Sequence, residues 1–189
     1  MDFIGDGLWI IRWHWKHFPI FAALIIVVMK IATKFIHAGM EPDPSTGAVM
    51  VPIYQTSTYV QEAPGKNKGY EYARSQNPTR FALEEAYAQI ENVKFGLAFS
   101  SGVAATDAVI KLLSVGDEVI AANDMYGGTY RLFTKVFERL GIVFKYVDTT
   151  NPENISKAIS DKTKLVWLET PTNPLMNITD IEAVAAITK

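Results

Sequence analysis

Short apolar runs separate amphipathic segments over the second half of the chain. The apolar runs have the length of strands, and they lie at residues 95–99, 118–122, 142–147 and 165–168. Apolar positions at helical spacing predict helices at residues 103–113 and 128–140, and helix-start signals predict two more, from Asn151-Pro152 onward and after Thr179. Strands that alternate with helices predict an α/β fold with a mostly parallel sheet covered on both faces.

The predicted helices also carry signals at their ends and along one face. Asn77-Pro78 supplies an N-cap and a first-turn proline for a helix that begins at Pro78. The spacing Thr179-x-x-Glu182 predicts a capping box at the start of the last helix. For the helix at 103–113, the residues predicted to face the core are Ala105, Ala108, Val109 and Leu112.

The segment before these elements is dominated by residues that form turns. Eight prolines and glycines occur between residues 42 and 78: Pro42, Pro44, Gly47, Pro52, Pro64, Gly65, Gly69 and Pro78. This composition predicts an extended N-terminal arm over residues 29–80 with little regular structure of its own. An arm of that length is unusual inside a compact monomer, so we expect it to pack against a partner subunit.

The first twenty-eight residues differ from the rest of the chain. They hold three of the four tryptophans, and an apolar run at residues 18–28 that is about half the length of a membrane-spanning helix. We expect this hydrophobic extension to lie upstream of the true start, at Met29. The alternatives are a membrane-associated helix and a signal peptide, although no small-x-small cleavage site follows the run. We do not expect the protein to bind a membrane.

Composition excludes several classes of protein. The net charge of -2 and the scattered lysines and arginines give no electrostatic footprint for nucleic acid. The chain has no cysteine, which excludes disulfide scaffolds and fits a reducing, cytoplasmic location. His14, His17 and His37 do not stand with carboxylates at a metal-ligand spacing, so no metal site is predicted.

Ligands of parallel sheets bind at the carboxyl ends of the strands, which directs attention to three loops. Ser100-Ser101-Gly102 joins a predicted strand to a helix N-terminus, where free N–H groups could hold a phosphate and Gly102 would let it approach closely. An ordinary N-cap and turn would show the same residues. Neither a P-loop nor a G-x-G-x-x-G fingerprint occurs in the sequence.

Two further loops and one extended segment offer suitable chemistry, each with a plainer alternative. Tyr126-Gly127-Gly128 could lie on a planar cofactor, or be only a loop before a helix. Glu169-Thr170-Pro171-Thr172-Asn173-Pro174 could present Asn173 at the sheet edge, or be a proline-bracketed turn. Tyr72 and Arg74 are spaced to face one side of an extended segment and suit a phosphate. A solvated arm would show the same residues.

Taken in order, these blocks resemble the trans-sulfuration family of pyridoxal 5′-phosphate (PLP) enzymes: cystathionine γ-synthase, γ-lyase and β-lyase, and methionine γ-lyase. The resemblance covers essentially all of residues 30–189 and none of residues 1–28. It is carried by residues 33–39, 52–59, 70–80, 99–102, 124–129 and 167–174. It implies a PLP-dependent transferase-like (aspartate-aminotransferase-type) large domain, here incomplete, over residues 81–189, with the C-terminal small domain absent.

The resemblance also implies roles for individual residues. The N–H groups of Gly102 and Val103 would hold the phosphate, and Tyr126 would stack on the pyridine ring and assist proton transfer. Asn173 would bond the phenolic oxygen of the ring, with Glu169 in support. Tyr72 and Arg74 would reach the phosphate of a neighbouring subunit. These residues are the seven predicted cofactor contacts, of which Tyr126 is also the predicted catalytic residue.

Family members are about twice as long, and their Schiff-base lysine lies beyond the last residue of this chain. We therefore expect an N-terminal fragment that is inactive alone, from a homotetramer of active dimers that acts on a small sulfur amino acid. Cystathionine γ-synthase and γ-lyase share every motif present and are preferred over β-lyase and methionine γ-lyase. The alternatives from other classes are a non-catalytic truncated product and a membrane-associated interaction domain.

Overall fold

The computed structural model describes residues 2–4, 8–10, 26–28 and 30–188. The chain forms two compact units, residues 1–98 and residues 99–189, which are described separately. In the N-terminal unit, β1 (Asp2–Ile4), β2 (Leu8–Ile10) and β3 (Ile26–Val28) pair antiparallel in that order. The apolar run predicted at residues 18–28 lies outside the described residues except for β3. Across the described ranges, no helix has both the length and the apolar character needed to cross a membrane.

The predicted arm, residues 29–80, contains one helix near its start and the first turn of another at its end. The first, α1 (Ile31–His37), was not predicted, because the turn formers that suggested an extended arm begin only after it. The second, α2 (Pro78–Ile90), begins as predicted, since the Asn77 side chain accepts the N–H groups of Thr79 and Arg80. Between the helices, residues 38–77 form turns and two isolated bridges, Thr58 to Tyr72 and Ala63 to Lys66, which matches the predicted scarcity of regular structure.

The prediction of a strand at residues 95–99 is wrong. The end of the N-terminal unit lies instead against α2, where a Cβ added to Gly96 would stand 2.3 Å from the Glu84 carbonyl oxygen. The Ala98 N–H, which a sheet ladder would need, donates to the Glu84 carboxylate at 3.0 Å. Close backbone approach and a side-chain acceptor therefore replace strand pairing for this apolar run.

The C-terminal unit is built on a three-stranded parallel sheet in the order β5-β4-β6. Its strands are β4 (Glu118–Ala122), β5 (Val143–Val147) and β6 (Thr163–Trp167), close to the predicted positions. β4 pairs with β5 from Glu118 opposite Val143, and with β6 from Val119 opposite Leu165 after an irregularity. Parallel pairing confirms the predicted α/β class.

Helices cover the two faces of this sheet. They are α3 (Gly102–Ile110), α4 (Gly127–Leu132), α5 (Pro152–Ala158) and α6 (Ile181–Ile187), and α4 continues through a π-helical turn and a 3-10 turn to Leu140. Alternate β4 residues point to opposite faces. Val119 packs with Ile110 and Phe133 on one face, and Ile120 packs with Ile155 and Val184 on the other.

Two details of the predicted helices are wrong. In α3 the buried residues are Thr106 and Ile110, whereas Val109 and Leu112 are exposed, because the helix ends at Ile110 and turns a different face to the core. In α6 the N-cap is Asp180, whose carboxylate accepts the Ala183 N–H at 2.9 Å. Thr179 does not cap the helix; its buried hydroxyl is 2.7 Å from that of Thr149.

Candidate functional site

Glu169 joins two of the predicted site loops at the carboxyl edge of the sheet. These loops follow β4 and β6, which are hydrogen-bonded neighbours, so parallel strands deliver both to one edge. The Glu169 carboxylate accepts the backbone N–H of Tyr126 at 3.0 Å and that of Asn173 at 2.9 Å. One carboxylate thus fixes the backbone at two residues that the sequence singled out.

A second carboxylate, that of Asp124, also ties the same two loops together. Asp124 accepts the Leu175 N–H at 3.1 Å and a short hydrogen bond from the Thr172 hydroxyl. Thr172 is only 1% exposed, and its hydroxyl also accepts the Asn177 N–H at 2.9 Å. The loop after β6 is therefore anchored internally, while the side chain of Asn173 lies exposed at its tip.

The ring of Tyr126 lies directly against Gly128. A Cβ built on Gly128 would stand 2.3 Å from Cε1 of that ring and 2.9 Å from its Cζ, a separation that real structures do not show. At Gly127 the nearest atom to such a Cβ is an Arg131 nitrogen at 3.5 Å, an ordinary contact. Tyr126 as a residue remains 47% exposed, so it is accessible to a ligand.

The start of α3 offers backbone donors. The Ser101 hydroxyl caps the helix by accepting the Ala104 N–H at 3.1 Å, and the N–H groups of Gly102 and Val103 precede the first intrahelical bond. Among residues 99–188, none accepts these two N–H groups. An added Cβ at Gly102 would meet nothing within 4 Å, so the approach to the donors is open.

Tyr72 and Arg74 belong to the N-terminal unit, where an isolated antiparallel β-bridge holds their backbone. The Tyr59 N–H donates to Glu71 at 3.1 Å and the Ala73 N–H donates to Ser57 at 2.8 Å, on either side of the pairing between Thr58 and Tyr72. The Arg74 guanidinium carbon lies 4.5 Å from the centroid of the Tyr72 ring. The two predicted phosphate ligands are thus in mutual contact.

The N-terminal unit also contains a cavity of about 690 Å³. Its walls include Asp43 and Tyr54, and none of the seven predicted site residues lines it. Asp43 is 7% exposed, and hydrogen bonds from Ser45 and Thr46 lower the pKa of its carboxyl to about 2. Its acceptor capacity is taken up by these neighbours and by the Tyr54 hydroxyl, which marks it as structural.

The structure therefore brings the predicted residues together in groups. Tyr126, Glu169 and Asn173 share one hydrogen-bonded loop pair, Gly102 and Val103 open α3, and Tyr72 and Arg74 are stacked in the other unit. The sequence reasoning assigned no role to Asp124, although this residue lies in the block 124–129 that carries the resemblance and only two residues before Tyr126. It also missed that Gly128 seats the Tyr126 ring.

Comparison with known proteins gives a consistent result. The model of the family described as Cys/Met metabolism PLP-dependent enzyme matches residues 32–189. The chain is 51% identical over 160 residues to a cystathionine beta-lyase of Coxiella burnetii, covering 84% of this chain and 41% of that protein. It is 52% identical over 161 residues to a cystathionine gamma-lyase of Bacillus subtilis, covering 85% of this chain and 42% of that protein.

A solved structure supports the same relationship at the level of the fold. The crystal structure of metB from Corynebacterium glutamicum superposes with a TM-score of 0.81 at 51% identity, covering 85% of this chain and 42% of that one. The chain thus spans about two-fifths of the length of these relatives. The names of the relatives include a beta-lyase and a gamma-lyase, so similarity alone does not distinguish between these reactions.

Proposed function

Since the chain belongs to the family of Cys/Met metabolism PLP-dependent enzymes, we propose that it forms part of the cofactor site of a trans-sulfuration enzyme. The enzyme would act at Cβ or Cγ of a small sulfur amino acid. The names of the two curated relatives, cystathionine beta-lyase and gamma-lyase, support a cystathionine-class substrate. Within the family we favour cystathionine γ-synthase or γ-lyase, with β-lyase and methionine γ-lyase as the alternatives.

The observation that carries this proposal is the bracing of Tyr126 and Asn173 by Glu169 at the sheet edge. It supports a site for a flat, phosphorylated ring, because a half-exposed tyrosine and an exposed asparagine are held on neighbouring loops. The open N–H groups of Gly102 and Val103 suit the phosphate, since a helix N-terminus favours an anion. The donor set of this chain therefore fits PLP.

Each residue of the site would have a distinct task. Gly102 and Val103 would donate their N–H groups to the phosphate, and Tyr126 would orient the ring by stacking. The Tyr126 hydroxyl would hold or move a proton at the substrate amine, and the Asn173 amide would bond the phenolic oxygen of the ring. When bound, PLP supplies an electron sink for the electrons released at the substrate α-carbon.

Tyr72 and Arg74 would complete the phosphate site of a neighbouring subunit. Arg74 presents a planar guanidinium that matches a phosphate, and its stacking on Tyr72 would restrict its motion. This role implies a homo-oligomer, which we propose to be a tetramer of active dimers. We propose a cytoplasmic location, with which the lack of cysteine agrees.

Substitution of Gly102 tests the phosphate site. Gly102→Pro removes one N–H from the first turn of α3, where proline is tolerated, and the extended Ser101 backbone suits a following proline. Gly102→Ala keeps the donor and meets no neighbouring atom, so it is the matched control. The assembled enzyme carrying each variant is titrated with PLP and with pyridoxal, which lacks the phosphate.

We expect Gly102→Pro to bind PLP about tenfold or more weakly, because a hydrogen bond to a charged group contributes about 1.5–3 kcal/mol. Gly102→Ala should lose less affinity, and pyridoxal binding should change little in either variant. Circular dichroism and thermal unfolding check that α3 still forms. If Gly102→Pro binds PLP as tightly as Gly102→Ala does, the phosphate is not held by this N–H and the proposed site is wrong.

A further inference from the structure

Arg80, in the first turn of α2, holds the backbone of the segment that carries Tyr72 and Arg74. Its Nη2 donates to the Ser75 carbonyl at 2.5 Å. Its Nη1 lies 3.4 Å from the carbonyl oxygens of both Ala73 and Arg74. One guanidinium therefore reaches three consecutive carbonyls directly after Tyr72.

We propose that Arg80 is a positioning residue for the phosphate-binding segment: it fixes the backbone from which Tyr72 and Arg74 project. The inference rests on the proposed function of those two residues. Arg80 would not contact the cofactor, since its donors are directed at backbone carbonyls. Its effect on the cofactor would be indirect, through the direction in which the Arg74 side chain leaves the chain.

The chemistry of this contact requires arginine. The guanidinium is a planar fork with five N–H donors, whereas a lysine ammonium is a single point on a flexible stem. The remaining nitrogen, Nε, is oriented by an ion pair with Glu84 at 3.5 Å. Glu84 is mostly buried and also accepts the Ala98 N–H, so it is itself held in place. The Arg80 guanidinium is thus directed from α2 toward the carbonyls of residues 73–75.

The rest of the segment depends on weaker local bonds. The N–H of Ser75 and that of Gln76 both donate to the Tyr72 carbonyl, at 3.1 and 2.8 Å, and the Ser75 hydroxyl adds a third bond at 3.0 Å. These bonds close the turn on itself but do not tie it to α2. Arg80 supplies the connection between the turn and the helix.

The main competing role for Arg80 is general stabilisation of α2, whose N-cap is the neighbouring Asn77. The two roles differ in what they predict. If Arg80 only stabilises the helix, its loss lowers overall stability and leaves the turn and the phosphate affinity unaffected in the folded protein. If it positions the turn, the hydrogen-bonded amides of Ala73, Ser75 and Gln76 lose protection while the rest of the unit keeps it.

Two measurements on Arg80→Ala and Arg80→Lys separate these roles. Hydrogen exchange of the 189-residue chain reports on the amides of Ala73, Ser75 and Gln76, and titration of the assembled enzyme with PLP and pyridoxal reports on the phosphate contact. Arg139→Ala is the control, because Arg139 is an exposed arginine in the other unit. Arg74→Ala is measured in parallel as the direct-contact variant.

We expect about tenfold faster exchange of these amides and about tenfold weaker PLP binding in Arg80→Ala, on the scale of one lost charge-assisted hydrogen bond. Arg80→Lys should resemble Arg80→Ala, since charge alone does not restore the fork, and pyridoxal affinity should not change. The control should behave as wild type.

Other outcomes overturn specific parts of the account. Unchanged exchange, or unchanged PLP affinity while Arg74→Ala binds PLP weakly, rejects the role of Arg80 and leaves the proposed function standing. Full rescue by lysine also rejects it, because it would reduce the role to charge. If Arg74→Ala itself binds PLP as wild type does, the proposed function of the segment fails and the inference fails with it.

Discussion

The guanidinium of Arg74 stacks on the ring of Tyr72, with its central carbon 4.5 Å from the ring centroid. The backbone of Tyr72 is held by its pairing with Thr58, and its ring lies against the guanidinium. A cation over an aromatic face is favoured by about 0.5–1 kcal/mol at exposed sites. The arrangement limits the orientations of a positive charge that would otherwise move freely on a long side chain.

Replacing Arg74 should weaken PLP binding and be rescued by a neighbouring subunit. Arg74→Ala removes a charge-assisted phosphate contact, so we expect about tenfold or more loss of PLP affinity in the assembled enzyme. Arg74→Lys should recover only part of it, because lysine neither stacks nor bonds bidentately.

In mixed dimers, an Arg74→Ala subunit with an intact Schiff-base lysine, paired with a lysine-deficient subunit that keeps Arg74, should rebuild one complete site. Equal affinity for wild type and Arg74→Ala, or no rescue, contradicts a role across the subunit boundary.

Gly128 and Gly127 provide a matched pair for testing the position of the Tyr126 ring. A Cβ at Gly128 would stand 2.3 Å from that ring, so Gly128→Ala must displace it, whereas the same change at Gly127 meets only an ordinary 3.5 Å contact. Both substitutions replace a helical glycine, which favours stability by up to about 1 kcal/mol. We expect Gly127→Ala to keep PLP affinity, and Gly128→Ala to lose it without unfolding. Thermal unfolding, PLP titration and the ring chemical shifts of Tyr126 measure this, and equal affinities in the two variants would show that the ring position does not matter.

Glu169 should act through the backbone of its two partners. Glu169→Ala leaves the N–H groups of Tyr126 and Asn173 without their acceptor, and we expect a loss of about 1–2 kcal/mol in stability. Glu169→Gln keeps one carbonyl oxygen, and because Oε1 contacts both N–H groups, the glutamine variant should be milder. Amide exchange at Tyr126 and Asn173 is the direct measurement. If both amides exchange in Glu169→Ala as slowly as in wild type, the brace is not maintained in solution.

Features set by local sequence were predictable. The three parallel strands of the C-terminal unit and the caps at Asn77 and Asn151 follow from short patterns, and all appear near their predicted positions. The wrong predictions have a different cause, namely contacts between residues that are distant in the sequence. Thr179 fits a capping box as well as Asp180 fits a simple cap, and the buried partner Thr149, thirty residues earlier, decides between them.

The candidate site likewise combines residues that the sequence indicated with contacts that it could not predict. Residue types at strand ends pointed to Tyr126, Glu169 and Asn173, but no spacing rule links a carboxylate to an N–H 43 residues away. The contact exists because β4 and β6 are neighbours in the sheet, which is a property of the fold. The ring of Tyr126 against Gly128 likewise depends on a side-chain rotamer that sequence does not specify.

Asp43 allows a test of stability against pH in the N-terminal unit. Its Oδ1 accepts the hydroxyl of Ser45 at 2.5 Å and that of Thr46 at 2.9 Å, and Oδ2 accepts the Tyr54 hydroxyl at 3.1 Å. These donors favour the charged form, led by Ser45, and lower the pKa to about 2 in the folded protein. An unfolded aspartate has a pKa of about 3.9.

The sign of the effect follows from which state holds the proton more tightly. Below a pH of about 4 the unfolded chain takes up a proton that the folded chain still refuses, so acid favours unfolding. The stability that ionised Asp43 contributes is therefore fully present above about pH 4 and is lost as the pH falls toward 2.

Urea unfolding of wild type and Asp43→Asn should give a difference in unfolding free energy that is constant near neutrality and narrows across this acidic window. Ser45→Ala removes the leading donor and raises the folded-state pKa, so the loss should still begin near pH 4 but should be smaller and should end at a higher pH than in wild type. A difference between wild type and Asp43→Asn that stays constant down to pH 2 would show that the Asp43 carboxyl titrates alike in both states, and that its hydrogen bonds do not favour the charged form.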